Sequence, residues 1–210
     1  AHVIYRERLI AKENDEENIF TKKKTGTHDV QFMEYLECFY DCNFLTSVSK
    51  EHLTKGAHNY AISAQREIFP ILDKCHMILS KDDAIFDFGC GKGGALITFL
   101  DYGFTKVGGV EFSEQLYNEA KDNLKKLGLD SCEEKQVELF HNDAAKVTYD
   151  LDNYNWFYFF DPFERQIFEP VISNIYDSYL RKPRKLNLIS INPRYHDVIE
   201  KCGIFVMINQ

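Results

Sequence analysis

The sequence predicts an α/β domain, a doubly wound and mainly parallel sheet, preceded by an N-terminal helical extension. Three observations predict it. From Ala84 onward, short apolar runs alternate with amphipathic stretches at the spacing of successive βα units. One of those runs, Asn155 to Phe160, is apolar almost without a break, as suits a strand covered on both faces. A glycine-rich turn, Gly89 to Gly94, stands directly between a strand and a helix. Right-handed crossovers then place helices on both faces of the sheet.

The elements follow in order. Residues 1–55 read as a partly helical extension and residues 56–210 as the main domain. Asn14 to Asp29 is polar, and the run Lys22-Lys23-Lys24 within it reads as a solvated loop. Gln31 to Val48 carries Phe32, Leu36, Phe39 and Leu45 at near-helical spacing, with Tyr35 alongside. That pattern predicts an amphipathic helix whose aromatic rings belong to a core. A second helix is expected over Ile62 to Ile78, kinked or broken at Pro70.

The main alternation opens with the strand AIFDF and, after the glycines, the helix GALITFLDY. The strand KVGGVEF leads into a helix that Ser113 opens and that Lys125, Lys126 and Gly128 close. QVELFH and NWFYFF are the third and fourth strands. A helix over Phe163 to Leu180 should bend or restart at Pro170. KLNLISI is a fifth strand, RYHDVIEKC a short helix, and GIFVMI a sixth and last strand.

Composition narrows the function. The 210 residues carry 25 Lys plus Arg against 33 Asp plus Glu, a net charge of -8. Such a surface repels a phosphate backbone, which argues against nucleic acid as a partner. No apolar run approaches the ~20 residues of a membrane span, so no membrane partner is expected. The first residues do not resemble an export signal, so the expected location is cytoplasmic. The six cysteines show no disulfide or zinc rhythm, even with Cys38 and Cys42 four apart, and are read as reduced thiols. No metal is expected, at His141 or elsewhere.

The segment IFDFGCGKGG carries the most information. Gly89, Gly91 and Gly93 let the chain turn tightly and approach a ligand closely, and the following helix offers free N–H groups at its start. Gly89, Gly91 and Gly94 also fit a dinucleotide fingerprint, so spacing alone leaves two readings. The acids separate them. Asp87, two residues before the first glycine, would repel a pyrophosphate but suit an ammonium and a sulfonium. Glu111 ends the second strand, where a carboxylate can accept from both ribose hydroxyls. Asp143 follows the third strand, near where an adenine would lie.

On these residues the chain resembles the class I S-adenosylmethionine-dependent methyltransferases, which have a Rossmann-like fold. FDFGCGKGG looks like their first motif, GVEFSEQLYNEAKDNL like their acidic second-strand motif, and HNDAAKV like their adenine-side motif. The resemblance runs from about Ala84 to Met207. It implies S-adenosylmethionine as cofactor and S-adenosylhomocysteine as product. Asp87, Phe88, Gly89, Cys90, Gly91 and Gly93 would hold the methionine moiety and Glu111 the ribose. Phe112 would pack on the adenine, with Asn142, Asp143 and Ala144 at its edge.

FYFFDPFE, after the fourth strand, partly resembles the acceptor motif of amino-group methyltransferases, without its second proline. The resemblance implies roles for Asp161 in catalysis and at the cofactor, and for Pro162 and Phe163 at the substrate. Tyr60, in GAHNYAIS, would contact the cofactor carboxylate or the acceptor, with His58 a weaker candidate base. The expected reaction is methyl transfer to a small molecule or protein side chain, nitrogen favoured over oxygen. The alternatives are a methyltransferase-like binding subunit without turnover and a nucleotide-dependent oxidoreductase. A sheet edge left open by a missing strand would be covered in a homodimer.

Overall fold

The computed structural model describes residues 31–48, 65–74, 79–133, 136–160 and 163–207. Five strands form one parallel sheet: β1 (Ala84–Phe88), β2 (Lys106–Glu111), β3 (Gln136–His141), β4 (Trp156–Phe160) and β5 (Asn187–Ile191). Their order, β3-β2-β1-β4-β5, reverses direction at β1, so the crossovers of the two halves fall on opposite faces. The helices are α1 (Gln31–Tyr40), α2 (Gln65–Lys74), α3 (Gly94–Tyr102), α4 (Glu114–Lys126), α5 (Arg165–Arg181) and α6 (His196–Cys202). Two short 3-10 turns, Ala144–Lys146 and Tyr149–Asn153, lie between β3 and β4.

Two cores sandwich the sheet, and period-two alternation feeds both. Trp156 and Tyr158 of β4 join Leu96 and Phe99 of α3, Leu124 of α4, and Phe32 and Leu36 of α1. Phe157 and Phe159 face the other way, onto Phe168, Val171 and Ile175 of α5. This is why β4 reads as unbroken apolar sequence. The described part of the N-terminal extension thus shares a core with α3. Tyr35 is buried there, and Phe39 and Tyr40 are partly buried beside it.

Glycines in the middle of β2 let side chains cross close over both faces. A Cβ at Gly108 would lie 2.6 Å from Cζ of Tyr154 and 2.7 Å from Cδ2 of Phe86. A Cβ at Gly109 would lie 2.7 Å from Cβ of Cys90, so this glycine seats the turn after β1. Tyr154 cannot withdraw easily, because its hydroxyl donates to Glu138 (2.6 Å) and its ring is buried. Gly108→Ala is therefore expected to cost about 1–3 kcal/mol by overpacking. Urea denaturation would register it as a lower midpoint at unchanged slope.

Side-chain hydrogen bonds fix how the strands begin. Asp83 accepts from Ser80 N, Asn155 Nδ2 and Trp156 Nε1, while Asn155 Oδ1 accepts from Ala84 N. The starts of β1 and β4 are pinned together in this way. Arg184 donates to the carbonyls of Leu151, Tyr154, Ser178 and Lys182, tying the end of α5 to the turn before β4.

Two sequence expectations need correction, the end of the first helix and the sixth strand. The helix expected to reach Val48 ends at Tyr40. Asp41 takes a left-handed φ of 57°, and the next amides bond to side chains instead of to carbonyls one turn back. Asn43 N donates to Asn123, and Phe44 N and Leu45 N donate to Glu37. The helix expected over residues 163–180 is one continuous helix with Pro170 inside it. The sixth strand is not formed over residues 203–207, which pair with no strand among the described residues. β5 therefore has β4 as its sole strand partner among the described residues. α2 likewise continues through Pro70.

Candidate functional site

The carboxyl ends of β1, β2 and β3 bring the sequence-predicted acids to one edge of the sheet. The glycine turn begins where β1 stops. Gly89, Gly91 and Gly93 have φ of 87°, 53° and 84°, the left-handed region where a side chain is strained. The turn is held to β2 by Gly89 N and Cys90 N, which both donate to the Val110 carbonyl (2.9 and 3.0 Å).

Asp87 and Glu111 are both buried at this edge. Glu111 is clamped from two sides: Oε2 accepts from Gly91 N (2.9 Å) and Oε1 from Ser113 N (2.8 Å). Burial raises its carboxyl above the usual range, and these N–H donors pull in the opposite direction. Among the described residues Asp87 has no such donors. Burial first, and the Glu111 carboxylate second, push it up to about 8. Cys90, packed beside these acids, is raised well above the usual thiol range, by burial above all.

The Asp87 shift makes stability depend on pH. In the unfolded chain an aspartate titrates near 4, to one significant figure, whereas in the fold this one titrates at about 8. Between those values the folded state holds a proton that the unfolded state has released, so stability falls as pH rises through the window. Thermal unfolding of the free protein across that range is expected to show a declining Tm. Asp87→Asn should flatten the decline, and an equally steep decline in the variant would remove Asp87 as its source.

Beyond Glu111 the edge opens into a groove of about 820 Å³, lined among others by Phe112, Asn118, His141, Asn142, Asp143 and Lys146. Phe112 is 53% exposed, a large apolar ring left at the groove wall. His141 Nε2–H donates to the Phe112 carbonyl (3.1 Å), and its ring stacks on Tyr117 (centroids 5.0 Å apart). Asn142 Oδ1 accepts from Asp143 N (2.9 Å), and Asp143 Oδ1 accepts from Ala145 N (3.0 Å) to cap the 3-10 turn. Asp143 is thus oriented by its cap.

The remaining candidates divide by face. Phe88 points into the second core, stacked on Phe159 at 4.8 Å, so this position can offer a ligand only its backbone. Ala144 is likewise buried in that core, and Cys90 in the first. Phe163 is half-buried against the second core, near α5. Asp161, Pro162, Tyr60 and His58 lie outside the described residues. Among the described residues no group of three or more His, Cys, Asp or Glu side chains could hold a metal. No described helix is long and apolar enough to cross a membrane.

Two features escaped the sequence reading. Lys92 of the glycine turn is 1% exposed, and Asn118, Gln115 and Lys146 line the groove. The helical spacing of Gln115 and Asn118, with Glu114, on the first turns after Glu111 is the signal that marks the groove wall.

No family model matches the chain, and no curated protein matches it. Among solved structures it is similar to the StiE O-MT (residues 961–1257), at 25% identity and TM-score 0.43, over 55% of this chain and 40% of that one. It is similar to the PH0226 protein from Pyrococcus horikoshii OT3, at 24% identity and TM-score 0.45, over 64% and 55%. A SAM-dependent methyltransferase from Methanosarcina mazei matches at 18% identity and TM-score 0.42, over 52% and 51%. The chain spans 40% to 55% of the length of these chains.

Proposed function

We propose that the chain is an S-adenosylmethionine-dependent methyltransferase. Its acceptor is a small molecule or a protein side chain, with nitrogen favoured over oxygen as the atom methylated. One observation carries the reading. Two buried carboxyls, Asp87 and Glu111, stand at the ends of adjacent parallel strands over a left-handed glycine turn. Ligands of open α/β sheets bind at this edge, beside the strand where the order reverses. A diphosphate brought to the turn would meet the Asp87 carboxyl, whereas an ammonium there would gain a partner.

The residues present fit the cofactor. Each Glu111 oxygen already accepts one N–H, which leaves a second lone pair on each for a ribose hydroxyl. The exposed Phe112 ring offers an apolar face for a flat base, and Asn142 and Asp143 offer polar atoms beside it. When bound, S-adenosylmethionine supplies a methyl group on a sulfonium whose leaving group is already good. The chain's own contribution is to orient the acceptor and exclude water. An acceptor that arrives as a neutral amine needs no general base. By resemblance, Asp161 and the Pro162 carbonyl would hold the hydrogens of such an amine, with Phe163 as a wall and Tyr60 at the cofactor. The net charge of -8 would draw in a basic protein segment.

Methyl-labelled S-adenosylmethionine incubated with amine and hydroxyl acceptors, small and peptidic, tests the reaction. Label retained on nitrogen and lost in Asp161→Ala is the expected result. Cofactor binding with no label in any acceptor would replace the enzyme with a binding subunit that has lost turnover.

A further inference from the structure

Lys92 stands between Gly91 and Gly93 but does not face the ligand edge. Its ammonium lies 2.8 Å from Glu119 Oε2 of α4, and donates to Asn43 Oδ1 (3.0 Å) and the Thr46 carbonyl (2.8 Å). Among the described residues, three acceptors meet the ammonium, as many as it has hydrogens. Its backbone is held too, because Asn123 Nδ2 donates to the Lys92 carbonyl (3.1 Å). The same buried Asn123 amide accepts from Asn43 N (2.7 Å) and donates to the Asn43 carbonyl (3.0 Å). Residues 41–48 are therefore fastened to the back of the glycine turn.

The ligand side of the turn is held one residue away, where Gly91 N donates to Glu111. A single peptide, Gly91–Lys92, joins the carboxylate that would grip a ribose to the ammonium that grips the N-terminal segment. The three left-handed glycines leave this turn few constraints of its own. With residues 41–48 unseated, the buried ammonium would lose the Asn43 and Thr46 acceptors, which penalises that state. A ligand that fixes the turn from the Glu111 side would favour the seated segment, and linkage makes the effect reciprocal.

We infer that Lys92 is a positioning residue that couples occupancy of the Asp87–Glu111 site to the seating of residues 41–48. The inference rests on the cofactor reading above. Asn43 is its distal handle, since it touches Lys92, Glu119 and Asn123 but none of the residues proposed to meet the ligand.

Hydrogen exchange of the full chain, with and without S-adenosylhomocysteine, tests the coupling. The ligand is expected to slow exchange of the amides in residues 41–48 in the wild type. Lys92→Gln should weaken binding about tenfold, within the usual range of coupling between sites, and abolish that protection. Asn43→Ala should do the same, and the double variant should bind no more weakly than either single one. A role confined to stability would lower Tm but leave the ligand-dependent protection and the additivity of the two changes intact. That result, in either variant, overturns the inference, and Asn43→Ala decides it if Lys92→Gln does not fold. Binding to the wild type without protection of residues 41–48 overturns the coupling alone. Absence of binding overturns the cofactor reading and the coupling with it.

Discussion

Glu111→Gln is expected to weaken S-adenosylhomocysteine binding by at least about a hundredfold. The carboxylate holds two backbone N–H groups, from Gly91 and Ser113, and in the proposed complex accepts two ribose hydroxyls as well. An amide presents one oxygen and one NH2 in the same space, so one N–H of the pair would face another donor. Hydrogen bonds to a charged group contribute about 1.5–3 kcal/mol each. A hundredfold, about 2.7 kcal/mol, is the loss of little more than one of them. Calorimetric titration reads the affinity, and circular dichroism controls for folding. Relief of the repulsion with Asp87 favours a stable variant. Wild-type affinity in a folded Glu111→Gln would remove Glu111 from the ribose.

The second large effect is selective. Asp87→Asn should weaken S-adenosylhomocysteine about thirtyfold, near 2 kcal/mol, as expected for loss of a charge-assisted contact to an ammonium. 5′-Methylthioadenosine, which has the nucleoside and sulfur but no amino acid portion, should bind the variant and the wild type alike. Equal weakening of both ligands would show that Asp87 acts by shaping the turn and not by meeting the ammonium. The two variants thus separate the ends of the proposed ligand.

Much of this fold is legible in the sequence because its cues are local. The strand AIFDF, the glycine turn and the helix after it follow from periodicity and from residues that permit left-handed backbone. Ser113 accepts from Leu116 N at the start of α4, as its position suggested. β4 is legible from its lack of polar residues, and the structure supplies the reason in two cores.

The misreadings involve partners far away in sequence. The end of α1 at Tyr40 is only partly local: Glu37 takes the amides of Phe44 and Leu45, but Asn123, 80 residues from Asn43, captures the Asn43 amide. GIFVMI has the composition of a strand, but pairing requires a neighbour, and residues 203–207 have none among the described residues. Gly108 and Gly109 are visible as glycines in a strand, yet their purpose lies in Tyr154 and Cys90, which cross over them.

The candidate site follows the same division. Asp87, Glu111 and Asp143 could be placed because strand ends converge at one edge of a parallel sheet. Their protonation could not, since it comes from burial and mutual proximity. Lys92 was illegible for a related reason. A lysine in a polar turn is ordinarily exposed, and this one is buried because Glu119, Asn43 and Thr46 surround it.

In the proposed function, the edge formed by Asp87, the glycine turn and Glu111 takes an aminoacyl thioether nucleoside and not a dinucleotide. Calorimetric titration of the purified chain with S-adenosylhomocysteine, and separately with NAD, tests it most directly. Saturable one-to-one binding of S-adenosylhomocysteine is expected, with no heat of binding with NAD. Binding of NAD in place of S-adenosylhomocysteine would contradict it and turn the site into that of a nucleotide-dependent oxidoreductase.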